Sequence, residues 1–310
     1  MEHQAGVIQE LLSEFPEGTA VALESIGNWY WIVDEIETAG CKPLMAHAAK
    51  AKVMMGNVNK TDKLDARGLA TLLRNGTLPT VWIAPAEIRD ERELPRTRMA
   101  LCKMRVSLKN RIHATLAKYN LSVEGEEGSS DIFTKRFSLR LEQKLQALPA
   151  ETQKCVHQEL ELLEELQTQI SIMEGRIRER IPVTPVIELL KSLPGVGDIV
   201  SIVINLEIGS IERFSSAEQL ASYAGTVPTV KSSGARSRYG HLPKQSNHYL
   251  KWAFTEAANA VSRYRNYPSW RHKHVIRLYE RVRHQKGHSI AVGAVARHLA
   301  EAAFWMLTKK

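Results

Sequence analysis

Asp62 and Asp65 stand three residues apart in KTDKLDARGLATLLRNG, and a helix through that stretch turns both carboxylates to one side. Two carboxylates so placed can share a hard divalent cation, Mg²⁺ or Mn²⁺. Glu24 closes the run AVALE. A strand there would carry its carboxylate to the C-terminal edge of a sheet, the edge at which open α/β sheets bind ligands. Glu24, Asp62 and Asp65 are therefore candidate catalytic residues and metal ligands of a phosphoryl-transfer site, where a metal neutralises developing charge and activates the attacking oxygen. The same acidic spacing is also ordinary on a solvated helix surface.

A second constellation lies in KSSGARSRYGHLPKQSN. Ser232 and Ser233 precede Gly234, and Arg236, Arg238, His241 and Lys244 follow. A serine hydroxyl is a weak nucleophile, but guanidinium groups stabilise a phosphorane-like transition state and His or Lys can move its proton. Serine and glycine also simply build turns, and Ser246 has the form of a helix N-cap. In LPGVG, Gly195 and Gly197 could let backbone N–H groups approach a DNA phosphate, as in a helix-hairpin-helix turn. The plainer reading is a glycine turn between packed helices. Residues 96–118 hold seven basic and no acidic side chains, Lys109 and Arg111 among them, a face suited to phosphates.

The elements that position these groups can be read from periodicity. Residues 19–25 alternate as a strand does, residues 29–39 read as a helix stopped at Gly40, and residues 41–48 read as a second strand. An amphipathic helix closed by Gly76 follows, then a long helical pattern over residues 87–119. Strands alternating with helices predict an α/β layer over residues 1–122. EGEEGSS, at residues 124–130, marks a linker. Val156, Leu160, Leu163, Leu166, Ile170, Met173 and Ile177 then make an approximate heptad seam. A coiled-coil arm that joins chains as a homo-oligomer is expected within residues 123–184, and a hairpin on its own chain is the alternative. Residues 185–310 read as a mostly α domain.

The 310 residues suffice for two ordinary domains. With 44% hydrophobic and 25% charged residues, the composition excludes a collagen-like or wholly disordered chain. The start MEHQAG has no signal-peptide pattern, and the longest apolar run is well short of a ~20-residue membrane span. A cytoplasmic protein without membrane attachment is expected. Cys41, Cys102 and Cys155 are too scattered for a disulfide framework or a zinc site. The net charge of +8 is uneven: residues 231–310 carry sixteen Lys/Arg against three acids, a net of +13, which leaves −5 for residues 1–230. Seven of the eleven histidines lie in that basic quarter, interleaved with Tyr and Trp, so it is the expected polyanion-binding face.

The segments VALESIGNWYW, KTDKLDARGLATLLRNG and RTRMALCKMRVSLKNRIHATLAKYNL resemble, in order and spacing, the N-terminal domain of DEDD-type insertion-sequence transposases, the insertion-sequence one-ten family. LKSLPGVGDIVSIVI and LASYAGTVPTVKSSGARSRYGHLPKQSNHYLKWAFTEAA resemble that family's C-terminal domain. The resemblance implies a RuvC-like (RNase-H-type) α/β domain, a coiled-coil arm and a helical domain bearing a nucleophilic serine. It assigns the family's Glu, Asp and Asp to Glu24, Asp62 and Asp65. The serine best matches Ser233, with Ser232 as the alternative. It further implies DNA of the mobile element and its target as substrate, and a guide RNA as partner. The family's first Asp, on an N-terminal strand, has no counterpart here, so an N-terminally truncated domain is expected. A catalytically inactive DNA- or RNA-binding remnant and a metal-dependent junction nuclease are the competing readings.

Overall fold

The computed structural model describes residues 4–25, 27–56, 61–121, 131–134, 137–233 and 236–309. Contacts divide the chain into two compact units, Met1–Pro85 and Ala86–Lys310. By contacts the long helix of residues 86–118 groups with the second unit.

The first unit alternates as its periodicity predicts: α1 (Val7–Leu12), β1 (Ala20–Glu24), α2 (Trp29–Thr38), β2 (Lys42–Ala46), α3 (Ala48–Met55), α4 (Asp62–Arg74) and the two-residue β3 (Thr80–Val81). β1 and β2 pair in parallel, with Ala20 opposite Lys42 and Glu24 opposite Ala46. β3 adds antiparallel to β2, giving the order β1-β2-β3. Gly40 and Gly76 end α2 and α4 with φ of 75° and 67°, backbone that glycine adopts without strain. One cluster packs Leu12, Leu23, Val33, Ile36, Cys41 and Met45, and a second packs Ala46, Ala51, Leu69 and Leu72. β1 is an edge strand, and along it runs a cleft of about 360 Å³ walled by Leu12, Phe15, Val21, Leu23, Leu69 and Leu73.

The second unit begins with α5 (Ala86–Lys118), then α6 (Ser138–Leu145) and α7 (Ala150–Arg180). The expected linker at residues 124–130 lies outside the described residues. The heptad seam is real, but it closes within the chain. Val156, Leu163, Ile170 and Ile177 are buried, and α7 runs antiparallel to α5. Cross-links fix the register: Arg98 Nε donates to Glu174 at 2.7 Å, Arg105 Nη1 to Gln167 at 2.6 Å, and Arg111 pairs with Glu159. The argument for chain association through this seam therefore fails, because α5 already covers the apolar stripe.

The remaining elements form the largest core. They are α8 (Pro185–Lys191), α9 (Asp198–Ile208), a 3₁₀ turn (Ile211–Arg213), α10 (Ala217–Tyr223), the hairpin β4 (Val230–Ser233) and β5 (Arg236–Tyr239), α11 (His248–Tyr264), α12 (His274–Lys286) and α13 (His288–Thr308). By length and composition α13 is apolar enough to cross a membrane, contrary to the impression left by the shorter apolar runs. It is the central helix of this core, burying Ala291, Val295, Leu299, Ala303 and Leu307 among others. Its alanines let neighbouring helices approach closely.

Candidate active site and nucleic-acid interface

Glu24 occupies the C-terminal end of β1, as its strand pattern requires, and is exposed. Asp62 and Asp65 fall in the first turn of α4, whose N-cap Thr61 Oγ1 accepts from the Leu64 N–H at 3.3 Å. Carboxylates there complement the positive end of the helix, which accounts for both acids without a ligand. Glu24 and Ala66, next in sequence to Asp65, line the cleft beside β1. Among the described residues, however, no three His, Cys, Asp or Glu side chains gather closely enough to hold a metal ion. The three carboxylates thus do not fit Mg²⁺ or Mn²⁺ as a closed ligand set in this arrangement.

The serine motif forms a hairpin. Ser232 opposes Ser237 and Ser233 opposes Arg236 across β4 and β5. Gly234, Ala235 and the side chains of Ser233 and Arg236 lie outside the described residues. Ser232, Arg238, His241 and Lys244 are exposed. The root of the hairpin is firmly held. The Gly240 N–H donates to the Thr229 carbonyl at 2.7 Å, and the Thr229 N–H to that of His241 at 3.1 Å. Gly225, at φ of 65°, lies so close to Ser246 that a Cβ would stand 2.2 Å from its Oγ. Ser246 is therefore a packing residue and not the N-cap. Asn247 caps α11, its Oδ1 accepting from the N–H groups of Tyr249 and Leu250 at 3.1 and 3.0 Å.

The LPGVG turn joins α8 to α9. Gly195, at φ of 84°, faces α11, and a Cβ there would come 2.2 Å from the Ala257 carbonyl oxygen. Its freedom from a side chain is consumed by helix packing, whereas Gly197 opens to free space. Several cations of the basic stretch on α5 carry ion pairs within the chain, although Arg111, Lys103 and Lys118 stay exposed. Arg111 meets Glu159, and Lys109 meets Asp131 at 2.8 Å. Among the described residues, a further run of exposed cations occupies the α11–α12 turn and α12.

A buried hub escaped notice in the sequence. Glu207, near the end of α9, is 2% exposed. Arg96 Nε and Nη2 grip its carboxylate at 2.8 and 3.1 Å, and Asn247 Nδ2 donates to it at 2.8 Å. Arg92 donates to the carbonyls of Leu206 and Glu207 at 2.9 and 3.1 Å, and Arg213 to those of Ile208 and Glu207 at 2.8 and 3.3 Å. Burial pushes the Arg92 guanidinium below its ordinary value, and Glu207 opposes that shift. The hub ties α5 to α9 and to the cap of α11, and the Asn247 N–H bond to the Tyr223 carbonyl at 2.8 Å ties that cap to the end of α10. In NLEIG nothing separates Glu207 from a surface acid; only the fold reveals it.

Two family profiles match this chain: a DEDD transposase profile over residues 2–121 and the transposase IS116/IS110/IS902 family over residues 187–274. The hairpin lies inside the second and all three carboxylates inside the first. Similar proteins include a probable family 20 transposase of Pseudomonas aeruginosa, 23% identical over 78% of this chain and 71% of that one. The transposase for insertion sequence element IS1111A of Coxiella burnetii is 25% identical over 66% and 56%, so this chain spans little more than half its length. The transposase for insertion sequence element IS1328 of Yersinia enterocolitica is 23% identical over 93% and 83%. With both domains present in order, the chain belongs to the IS110/IS116 family of insertion-sequence transposases, enzymes that cut and rejoin DNA.

Proposed function

We propose that this chain is a DNA transposase acting in the cytoplasm on the DNA of its insertion sequence and on a target, using a serine nucleophile under the direction of a guide RNA. What supports the reading is the pairing of the two family domains with a hairpin whose strands carry Ser232 and Ser233, with Arg238 exposed on the same hairpin. The Ser233 Oγ attacks the scissile phosphorus; the O–P bond forms as the bond to the 3′ oxygen breaks, and the serine proton leaves toward His241 or Lys244. Arg238 offsets the charge of the crowded phosphate. The freed 3′-hydroxyl later attacks the phosphoserine and restores a phosphodiester, so no nucleotide energy source is consumed. Ser232 is the alternative nucleophile. Glu24, Asp62 and Asp65 remain the candidate carboxylates of a RuvC-like domain, although among the described residues they do not gather into a closed ligand set.

The test is covalent capture. Full-length protein, RNA transcribed from the flanks of its reading frame and a nicked suicide substrate should give a denaturant-resistant protein–DNA adduct, abolished by Ser233→Ala with little loss of DNA affinity. Persistence in that variant with loss in Ser232→Ala moves the assignment by one residue. The open carboxylate set favours a second reading, an inactive DNA-binding remnant, which predicts DNA binding and no adduct. Cleavage without an adduct would favour a junction nuclease.

A further inference from the structure

The turn between α11 and α12 carries a group of rings that the core does not explain. Tyr264 is 39% and Tyr267 57% exposed. Tyr264 stacks on Trp270, centroids 5.3 Å apart and planes 30° apart, and Tyr267 meets Tyr264 edge-on at 5.4 Å. Only Trp270 of the three packs against the core. Lys273 Nζ sits 4.4 Å from the Trp270 ring centre, within cation–π range. The backbone is a succession of tight turns, with the N–H groups of Tyr267, Trp270 and Lys273 donating to the carbonyls of Tyr264, Tyr267 and Trp270 at 3.0, 2.9 and 3.0 Å. These rings are held in place before any ligand arrives.

The charge around them has one sign. Residues 263–286 contain eight Lys/Arg and a single acid, Glu280, which is occupied by Arg265 at 3.5 Å and Arg283 at 3.4 Å. Arg263, Arg271, Lys273, Arg277 and Arg281 all point to solvent. A cationic frame alone suits any polyanion, and bases in a duplex already stack on one another, leaving no face for a protein ring. Exposed, pre-set rings inside such a frame have a use only where bases are unpaired, since each base then offers a free π face.

We propose that the α11–α12 turn is a stacking platform for unpaired nucleotides of DNA or RNA, with Tyr267 and Tyr264 taking the base faces and the surrounding cations the phosphates. The proposal stands independently of the chemistry of the carboxylates and of the serine hairpin.

The test measures binding of the full chain to fluorescein-labelled dT12, U12 and a 12-base-pair duplex by anisotropy at about 0.15 M salt. Tyr267→Ala should weaken single-strand binding at least about fivefold and change duplex binding less than twofold. Tyr267→Phe, which keeps the ring, should bind as the unaltered chain does. Oligonucleotides carrying 5-iodouracil should cross-link on irradiation to Tyr264, Tyr267 or Trp270. A larger loss on U12 than on dT12 would identify RNA as the preferred strand, the reverse would identify DNA, and equal losses would mean that the platform reads base faces alone. Equal loss on single strand and duplex, no loss on either, or cross-links mapping only elsewhere would overturn the proposal. None of those results would bear on the serine adduct, which is measured separately.

Discussion

Replacing Glu207 by Ala removes the carboxylate around which α5, α9 and α11 are organised. The side chain accepts two bonds from Arg96 and one from Asn247, all between 2.8 and 3.1 Å, and lies 3.7 Å from Arg92 Nε. Removing one partner of a buried pair leaves the other charge in a poor solvent and generally costs about 3–5 kcal/mol. The figure here belongs at the lower end. Arg92 keeps its two carbonyl acceptors, and Arg96 can still reach the exposed Glu93, 3.5 Å away. For a unit the size of Ala86–Lys310, about 3 kcal/mol lowers Tm by roughly 6–12 °C. Thermal unfolding followed by circular dichroism at 222 nm reads this directly. Glu207→Gln, which keeps the shape and one acceptor oxygen, should lose about half as much. In a double-mutant cycle Glu207→Ala and Arg96→Ala should couple by more than 1 kcal/mol. A Glu207→Ala penalty under about 1 kcal/mol, or simple additivity in the cycle, would show that the hub is filler and refute the reasoning.

Gly195→Ala should cost about 2–4 kcal/mol, since the new Cβ meets the Ala257 carbonyl oxygen at 2.2 Å and φ of 84° strains any L residue; chemical denaturation measures it, and a neutral variant would contradict the packing described. Tyr279→Phe deletes the hydroxyl that accepts from Ser262 Oγ at 3.0 Å and meets His288 Nδ1 at 2.8 Å, so it should lose about 1–2 kcal/mol while leaving the far-ultraviolet spectrum unchanged. Burial, with His274 adding to it and Glu301 opposing, holds the His298 imidazole below its ordinary value. A lowered folded value means the unfolded chain takes the proton first, so His298 contributes stability above the ordinary histidine range that is lost as pH falls through that range. Tm measured from pH 8 to pH 5 should therefore decline, and decline less in His298→Gln; identical slopes would remove His298 as a cause.

Local signals carried the first unit well. Alternation in AVALE and KPLMA gave β1 and β2, and glycines at 40 and 76 closed the helices near where they end. The two-residue β3 carries no periodicity to detect. The hairpin of β4 and β5 leaves no strand signal, because VKSS and RSRY lack the apolar alternation of a half-buried strand. The deeper failures share one cause: a sequence shows what a side chain is, not what faces it. The ion pairs of Lys109 with Asp131 and of Arg111 with Glu159 join residues far apart in the chain and are invisible in the sequence. The spacing of Asp62 and Asp65 was legible, but whether Glu24 joins them depends on tertiary placement. The apolar stripe of α7 was visible, but its mate on α5, whose cross-links to it span 48 to 76 residues of chain, was not.

The antiparallel pairing of α5 and α7 also limits how the gene for this chain can drift in length. The side chains that α7 buries, Val156, Leu163, Ile170 and Ile177, recur every seventh residue. Inserting one codon in the middle of α7 would rotate everything beyond it by about 100°, turning glutamates and glutamines toward α5 and swinging Glu174 away from Arg98. A compensating codon in α5 would restore the ladder of cross-links but not the apolar facing. Length changes should therefore be tolerated only in multiples of seven, made in both helices at matched positions, while the turns at either end absorb single-residue changes freely. Libraries of paired deletions that shorten α5 and α7 together, scored for soluble expression, would display that period as a comb across residues 150–180.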